Sequence, residues 1–362
     1  MKKNWQKTTL EKITNILSGK SRPQKKDNGK YPIYGGNGVL GFTNEYNISS
    51  KLIVVGRVGA YCGSVFFEKN NFWLSDNALG IKSNENSDLK FLYYLLANLQ
   101  LNQKAIGGAQ PLLTQGIIKQ ISILLPTLPE QKAIAKTLSS LDDKIDLLHR
   151  QNKTVEDMAQ TLFRKWFVEE VDDGWEEKPL DEIANYLNGL ACQKYPNENE
   201  VEKLPVLKIK ELGSGITENS DWVTSKIDKK YIVEFGDVIF SWSGSLMLKI
   251  WDGQRCVLNQ HLFKITSEKY PKWFYYFWTK HYLEKFIGIA DSKATTMGHI
   301  KRGDLTSSLV LIPTVEELSK MNNMIVPEFE KLILNFKQIR TLEKLRDTLL
   351  PKLMSGAVRV KF

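Results

Sequence analysis

The chain has 362 residues, 42% of them hydrophobic and 25% charged, with a formal net charge of +9. That length allows two or three domains that each bury a core, and the composition is that of a globular chain rather than a disordered one. The basic balance permits a nucleic-acid partner without requiring one, and no run approaches 18 consecutive apolar residues, which excludes a membrane-spanning helix.

The start MKKNWQK leads into no apolar run, so no signal peptide is expected. Leu10 to Leu17 reads as a short amphipathic turn of helix. Ser18 to Lys30 mixes Lys and Arg with Gly, Pro, Asn and Asp, and reads as a basic loop. Tyr31 to Tyr34, Leu52 to Val55 and Val65 to Phe67 are strand-like. Gly-rich turns follow the first two, at Gly35 to Gly38 and Gly56 to Gly63. Leu89 to Leu99 places Leu89, Leu92, Tyr93, Leu96 and Leu99 on one helical face. Ile121 to Leu125 is apolar and leads through Pro126 to Pro129, which is well placed to open a helix.

From Leu128 to Phe167 the apolar steps alternate four and three: Ile134, Leu138, Leu141, Ile145, Leu148, Asn152, Val155, Ala159, Leu162, Trp166. This stripe is narrower than that of an ordinary surface helix and predicts a coiled coil roughly 57 Å long. A long core helix is the alternative. Asn152 is polar on the seam, where such a residue sets helix register at a cost in stability; a tolerated pairing defect is the other reading.

The remainder repeats this order. Leu204 to Ile209, Asp237 to Phe240, Cys256 to Phe263 and Trp273 to Phe286 follow the strands and helix of the first half. A second heptad stretch, Val315 to Met354, carries Leu318, Met321, Ile325, Phe329, Leu332, Phe336, Ile339, Leu342, Leu349 and Leu353, with a kink expected at Pro327. Trp5, Leu10, Ile13, Leu17 and Gly19 recur as Trp175, Leu180, Ile183, Leu187 and Gly189, while Pro126 and Glu130 recur as Pro313 and Glu317. Such a repeat predicts the architecture directly. The expected class is mixed α+β: two α/β domains, residues 1–128 and 169–314, each followed by a long helix, residues 129–168 and 315–354. The helices are expected to pair as an antiparallel coiled coil about a pseudo-two-fold axis. The tail 355–362 is a candidate strand.

Catalytic signatures are missing. Gly19-Lys20-Ser21 resembles the end of a P-loop, but position 14 is Thr where the first Gly is required. The turn Gly56, Gly59, Gly63 is not GxGxxG and no helix with a ribose-binding acid follows it in a βαβ setting, and there is no GxSxG, HExxH or Asn/Asp-Pro-Pro-Tyr/Phe stretch. Cys62, Cys192 and Cys256 form no CxxC pair and, with four His, no zinc signature. Reduced, buried thiols in a cytoplasmic protein are expected, with no metal or cofactor held by this chain.

Three stretches carry a family resemblance: Leu128-Pro129-Glu130-Gln131, Asp142-Asp143-Lys144-Ile145 and Leu162-Phe163-Arg164-Lys165-Trp166-Phe167. With Gly108 to Thr114, Trp175 and Leu353-Met354-Ser355-Gly356, the chain resembles the specificity subunit of type I restriction-modification systems over essentially its whole length. It departs in the second half, where Val315-Glu316-Glu317-Leu318 replaces the Pro-x-x-Glu-Gln start and Ala294 to His299 replaces the Gln-Pro segment. The resemblance implies a non-catalytic chain. Its two target recognition domains would each read half of a split, asymmetric double-stranded DNA target. It would dock two modification subunits, which carry S-adenosylmethionine, and restriction subunits, which use ATP and Mg. A scaffold that binds only proteins, and a related restriction-modification system, are the alternatives.

A DNA reader needs Arg or Lys for phosphates and polar side chains on turns for base edges. In the first domain Lys20, Arg22, Lys25, Lys26 and Lys30 suit phosphates, and Asn37, Arg57, Tyr61, Asn77, Gln110 and Thr114 suit bases or groove walls. In the second, Lys208, Lys210, Lys293, Lys301 and Arg302 suit phosphates. Ser241, Ser243, Gln254, Arg255, Asn259, Gln260, Thr295, Thr296 and His299 suit bases or sugars. Each is also accounted for as a solvated residue or turn cap, and Asn77 and Asn259 as buried amides fixing strand ends.

Overall fold

The computed structural model describes residues 5–108, 110–197, 201–292 and 298–361. The chain divides into two units, residues 1–145 with 342–362, and residues 146–341.

Unit 1 begins β1 (Gln6–Thr9), β2 (Thr14–Ser18), β3 (Tyr31–Gly35), β4 (Gly38–Thr43), β5 (Leu52–Gly56), β6 (Val65–Glu68), β7 (Trp73–Leu74) and β8 (Ala78–Ser83). It continues with α1 (Leu89–Asn98), α2 (Gln115–Gln120), β9 (Ser122–Leu125) and the first part of α3 (Leu128–Arg164). One sheet has the order β2-β8-β5-β6, a second β4-β3-β7, and β1 pairs with β9. Every residue of β5 is buried, as its unbroken apolar run predicts for a central strand.

Unit 2 takes α3 onward through a π-turn at Lys165–Glu169 to β10 (Glu176–Pro179), α4 (Leu180–Ile183), β11 (Asn185–Asn188), β12 (Lys203–Leu207), α5 (Ile209–Ser214), β13 (Trp222–Thr224) and β14 (Ile232–Val233). Then come β15 (Val238–Ser241), β16 (Met247–Ile250), β17 (Cys256–Leu258), β18 (Leu262–Thr266), α6 (Lys272–Ser292), α7 (Arg302–Thr306), β19 (Leu309–Ile312) and α8 (Val315–Met354), whose end belongs to unit 1. The sheets are β11-β18-β15-β16 and β13-β12-β17-β14, with β10 paired to β19. In each unit one strand pair of the second sheet is parallel, β3 with β7 and β12 with β17. The sequence repeat is thus a repeat of topology, in a mixed α/β fold with a long helix after each set of strands.

Several local expectations need correction. Leu10 to Leu17 forms a 3-10 turn at Leu10–Lys12 and then β2, because Thr14 to Ser18 gains a ladder with β8. Cys256 to Phe263 follows the first half as expected: like β7 and β8 it is two strands in different sheets, separated by a turn that Leu262 N–H closes onto Asn259 O at 2.9 Å, as Ala78 N–H closes the first onto Ser75 O at 3.0 Å. Ile209 opens α5 instead of ending a strand. The tail forms no strand among its described residues. Pro327 lies inside α8 without ending it; it is exposed, so the carbonyl that loses its partner at Asn323 faces water.

The family motifs bind the helix starts to the domains. Glu130 is fully buried and accepts from Trp5 Nε1 (3.2 Å) and from Arg359 Nε and Nη2 (both 2.8 Å). Gln131, also fully buried, accepts from Asp88 N–H (2.9 Å) and donates to Asn86 O (3.2 Å) and Pro126 O (2.9 Å). It therefore holds the start of α1, which Asp88 caps. Asp142 accepts from Arg346 Nη1 at 3.1 Å and from the Tyr94 hydroxyl, whose pKa burial and this bond push up. In unit 2, Trp175 Nε1 donates to Glu317 Oε2 at 2.9 Å, repeating the Trp5 bond. Phe163 and Phe167 are buried among Phe274, Phe277 and Trp278.

Within unit 1, Ile134 and Leu138 share a core with Leu353 and Met354, and Asp142 meets Arg346, so the α8 numbers fall as the α3 numbers rise, which is antiparallel pairing. Both readings of α3 hold. Ile134 and Leu138 belong to the unit 1 core and Ala159 and Phe163 to that of unit 2, while Ile145 and Leu148 are buried along the seam. Asn152 Oδ1 accepts from Asn335 Nδ2 at 2.9 Å, both residues being buried, whereas Asn152 Nδ2 finds no partner among the described residues. The seam read from sequence ran through Phe336 and passed over Asn335. Asn152→Leu alone strands the Asn335 amide and is expected to cost roughly 1–3 kcal/mol in denaturant unfolding. Changing both to Leu should recover most of that loss.

Candidate nucleic-acid interface

In unit 1 the turns gather where β5 ends. Arg57 N–H donates to Asn77 O (3.0 Å), Leu113 N–H to Arg57 O (2.8 Å) and Gly59 N–H to Pro111 O (3.1 Å). The β3–β4 turn lies alongside, since a Cβ on Gly36 would stand 2.8 Å from Val58 O. Gly19 admits no side chain, because its Cβ would be 1.9 Å from Ser75 O; this approach seats Lys20, whose N–H donates to Leu74 O at 3.0 Å. Lys20, Asn37, Arg57, Asn77 and Gln110 thereby come to one rim, with Tyr61 exposed on the adjoining Gly59–Gly63 turn. Arg57 Nε is buried without a partner among the described residues.

Thr114 is used locally, its Oγ1 accepting from Ile117 N–H at 3.2 Å to cap α2. Arg22, Lys25, Lys26 and Lys30 are exposed on the loop along β4, where Lys26 N–H donates to Phe42 O at 2.9 Å. Lys30 Nζ stands 5.5 Å from the Tyr31 ring centre, and its N–H donates to Asn44 Oδ1 at 3.2 Å. A basic loop of this kind is an electrostatic footprint for phosphates.

In unit 2 the corresponding end of β15 is built likewise. Trp242 N–H donates to His261 O (3.4 Å), Ile300 N–H to Trp242 O (3.0 Å) and Gly244 N–H to Gly298 O (2.8 Å). Ser243 Oγ lies 3.0 Å from His261 Nδ1, and Gln260 Nε2 lies 3.3 Å from His261 Nε2. An amide nitrogen is a donor, so His261 Nε2 accepts, and Nδ1–H donates to Ser243. Trp242 stacks on Phe263 at 5.7 Å, meets His299 edge-on at 6.3 Å and donates from Nε1 to Asn188 Oδ1 at 3.0 Å. Ser243, Gln260 and His299 are therefore brought together with three residues that the sequence reading left out: Asn188, Trp242 and His261. The repeat carried the signal, since Asp237 to Phe240 follows a strand of the first half and the turn after it then answers the turn at Arg57.

Other candidates lie apart from this rim or are engaged in local structure. Ser241 is fully buried and donates to Ser243 O at 3.1 Å; Asn259 is buried with its N–H on Leu207 O at 3.1 Å. Lys208 is ion-paired with Asp221. Arg302 donates to Tyr186 O at 3.2 Å and stands 5.8 Å from the Phe263 ring centre. Lys301 precedes α7, and its N–H donates to Asp304 Oδ2 at 2.7 Å. Lys210 is exposed in α5. Gln254 and Arg255 precede β17, at the opposite end of that strand from the 259–261 turn, and Arg255 pairs with Glu234 at 3.0 Å. Lys293, Thr295 and Thr296, like Ala109 of the Gly108–Thr114 segment, lie outside the described residues.

Burial pushes the thiols of Cys62, Cys192 and Cys256 up, which makes them poor nucleophiles. Among the described residues no group of three His, Cys, Asp or Glu could hold a metal ion, and no helix is long and apolar enough to cross a membrane.

The pattern of the type I restriction modification DNA specificity domain matches residues 2–157 and again residues 172–345. The chain belongs to that family. It is a specificity chain, a component for DNA recognition and not for catalysis. It is 30% identical over 329 residues to the type I restriction enzyme MjaIX specificity subunit of Methanocaldococcus jannaschii, covering 83% of this chain and 76% of that one. The HindI specificity subunit of Haemophilus influenzae is 20% identical over 375 residues, covering 80% and 82%. The crystal structure of a type I restriction-modification S subunit from M. genitalium has the same fold, with a TM-score of 0.63 at 19% identity over 97% of this chain and 96% of that one.

The two arginines of the specificity chain should behave differently. Arg57→Ala is expected to cost roughly 1–3 kcal/mol of DNA binding and relax one target position if it meets a guanine. If it meets a phosphate, the salt slope falls by about one. Arg255→Ala should change neither, because that side chain is exposed and paired with Glu234. Titrations at several salt concentrations check this, and an unchanged Arg57→Ala complex would remove Arg57 from the interface.

Proposed function

We propose that residues 1–128 and 169–314 are two target recognition domains, each reading one half of a split, asymmetric DNA sequence. The helical segments 129–168 and 315–354 space the half-sites and dock two modification subunits. Those subunits supply S-adenosylmethionine and methylate adenine; restriction subunits add ATP- and Mg-dependent translocation and cleavage. The complex works in the cytoplasm, where host DNA lies. The observation that carries this reading is that both units place turns of the same construction at the end of a central strand while presenting different side chains there. An asymmetric target requires that combination. A scaffold binding only proteins would have no use for a basic loop such as 20–30 beside the rim.

Replacing residues 1–128 with the first domain of another family member should change one half of the methylated sequence and leave the other intact. Methylated-base mapping of host DNA reads this, and a simultaneous change in both halves would refute independent reading. Inserting seven residues in both long helices keeps the seam in phase and adds about 10 Å to each. The gap between half-sites should then widen by at most about three base pairs. An active insertion variant that methylates with the original gap would show that the helices do not set the spacing.

A further inference from the structure

The rims of the two units share one backbone frame, and the shared bonds identify matching positions. Arg57 N–H reaches Asn77 O as Trp242 N–H reaches His261 O, and Leu113 N–H reaches Arg57 O as Ile300 N–H reaches Trp242 O. Asp76 N–H donates to Lys20 O at 2.9 Å, and Gln260 N–H donates to Leu190 O at 2.8 Å. Where the frame faces the core, chemistry is kept: Leu74 matches Leu258 and Leu113 matches Ile300. Where it faces outward, chemistry changes: Arg57 against Trp242, Asp76 against Gln260, Asn77 against His261. Main-chain bonds hold the frame in both units, so these outward side chains are released from holding it.

We propose that Gln260 is the residue that sets a base preference in the half-site read by unit 2, that the base is adenine, and that His261 positions its amide. This rests on the reading of unit 2 as a DNA recognition domain. His261 Nε2 takes one N–H of the Gln260 amide, and the bond to Ser243 and the tilted contact with the Trp242 ring at 5.9 Å hold the imidazole. Among the described residues the amide keeps its second N–H and its carbonyl oxygen, a donor and an acceptor side by side. That pair matches the N7 acceptor and N6 donor of adenine in the major groove. The ring contact removes the freedom of the amide to turn over and present the opposite order.

The test uses the whole chain assembled with its modification subunits. DNA bound from a random duplex library is sequenced, and methylated positions are mapped. The unaltered complex should select a two-part target with an adenine in the second half. Gln260→Glu should lower that adenine preference roughly tenfold and favour cytosine, whose N4 donates to a carboxylate. His261→Ala should relax the same position, and His261→Asn, which restores an acceptor toward the amide, should recover part of it. The first half should be unchanged throughout. Gln260→Ala, which leaves the backbone bond to Leu190 intact, serves if a charged residue there lowers the melting temperature; it should relax the same position. Selection of the unaltered target by both Gln260→Ala and His261→Ala would overturn the proposal. So would loss of both halves together with a normal melting curve. Failure of the unaltered complex to select any two-part target would instead overturn the reading on which this one rests.

Discussion

A tryptophan indole donating to a glutamate at the head of a long helix is the contact on which each half of this protein depends. Trp5 and Glu130 make it in unit 1, Trp175 and Glu317 in unit 2. Each ties the first residues of a unit to the helix that follows its last strand. Because Trp and Glu are more than a hundred residues apart in both cases, the bond closes the whole unit. The two carboxylates are then completed differently. Glu130 has no exposure and takes the fork of Arg359, a charge-assisted pair suited to a buried carboxylate. Glu317 takes the Thr314 hydroxyl at 2.7 Å, and bonds to Thr314 and Trp175 hold its carboxyl below the usual range. The Glu-Gln pair of the first helix also reaches α1 through Gln131. The second helix has Leu318 in that place, partly buried against the aromatic core.

The helices combine two roles that sequence periodicity alone does not separate. A seven-residue repeat signals a partner helix, yet Ile134 and Phe163 bury against strands and helices of their own units. The stripe is regular because both kinds of burial use one face. Asn152 and Asn335 answer each other on that face, so the polar position is a matched pair rather than a defect.

The architecture was legible from the chain because it is written twice. Trp5 and Trp175, Glu130 and Glu317, Gly19 and Gly189 each recur with a physical job that the structure shows. Local conformation was less legible where tertiary pairing overrides pattern. Thr14 to Ser18 looks amphipathic, but a ladder with β8 decides it. Ile209 continues an apolar run that reads as strand but opens α5. At the rims, residue type was a poor guide. Ser241 and Asn259 have the chemistry of a DNA reader and are used up inside the fold, while Lys208 is paired with Asp221 at the surface. Trp242 reads as core and stands at the rim. Only position relative to the matched backbone bonds separates these groups, and that information is three-dimensional.

The division of the chain also bears on the order in which it is made. Unit 2 is one continuous stretch, residues 146–341, whereas unit 1 consists of residues 1–145 and 342–362. Leu353 and Met354 are buried in the same core as Leu10 and Leu138, and the Arg359 fork on Glu130 comes from the same late segment. On a ribosome that core stays open, and the Glu130 carboxylate lacks its arginine, until all of unit 2 has been synthesised. The half that emerges first is therefore completed last, and a released chain ending near residue 341 would carry a closed second unit and an unfinished first.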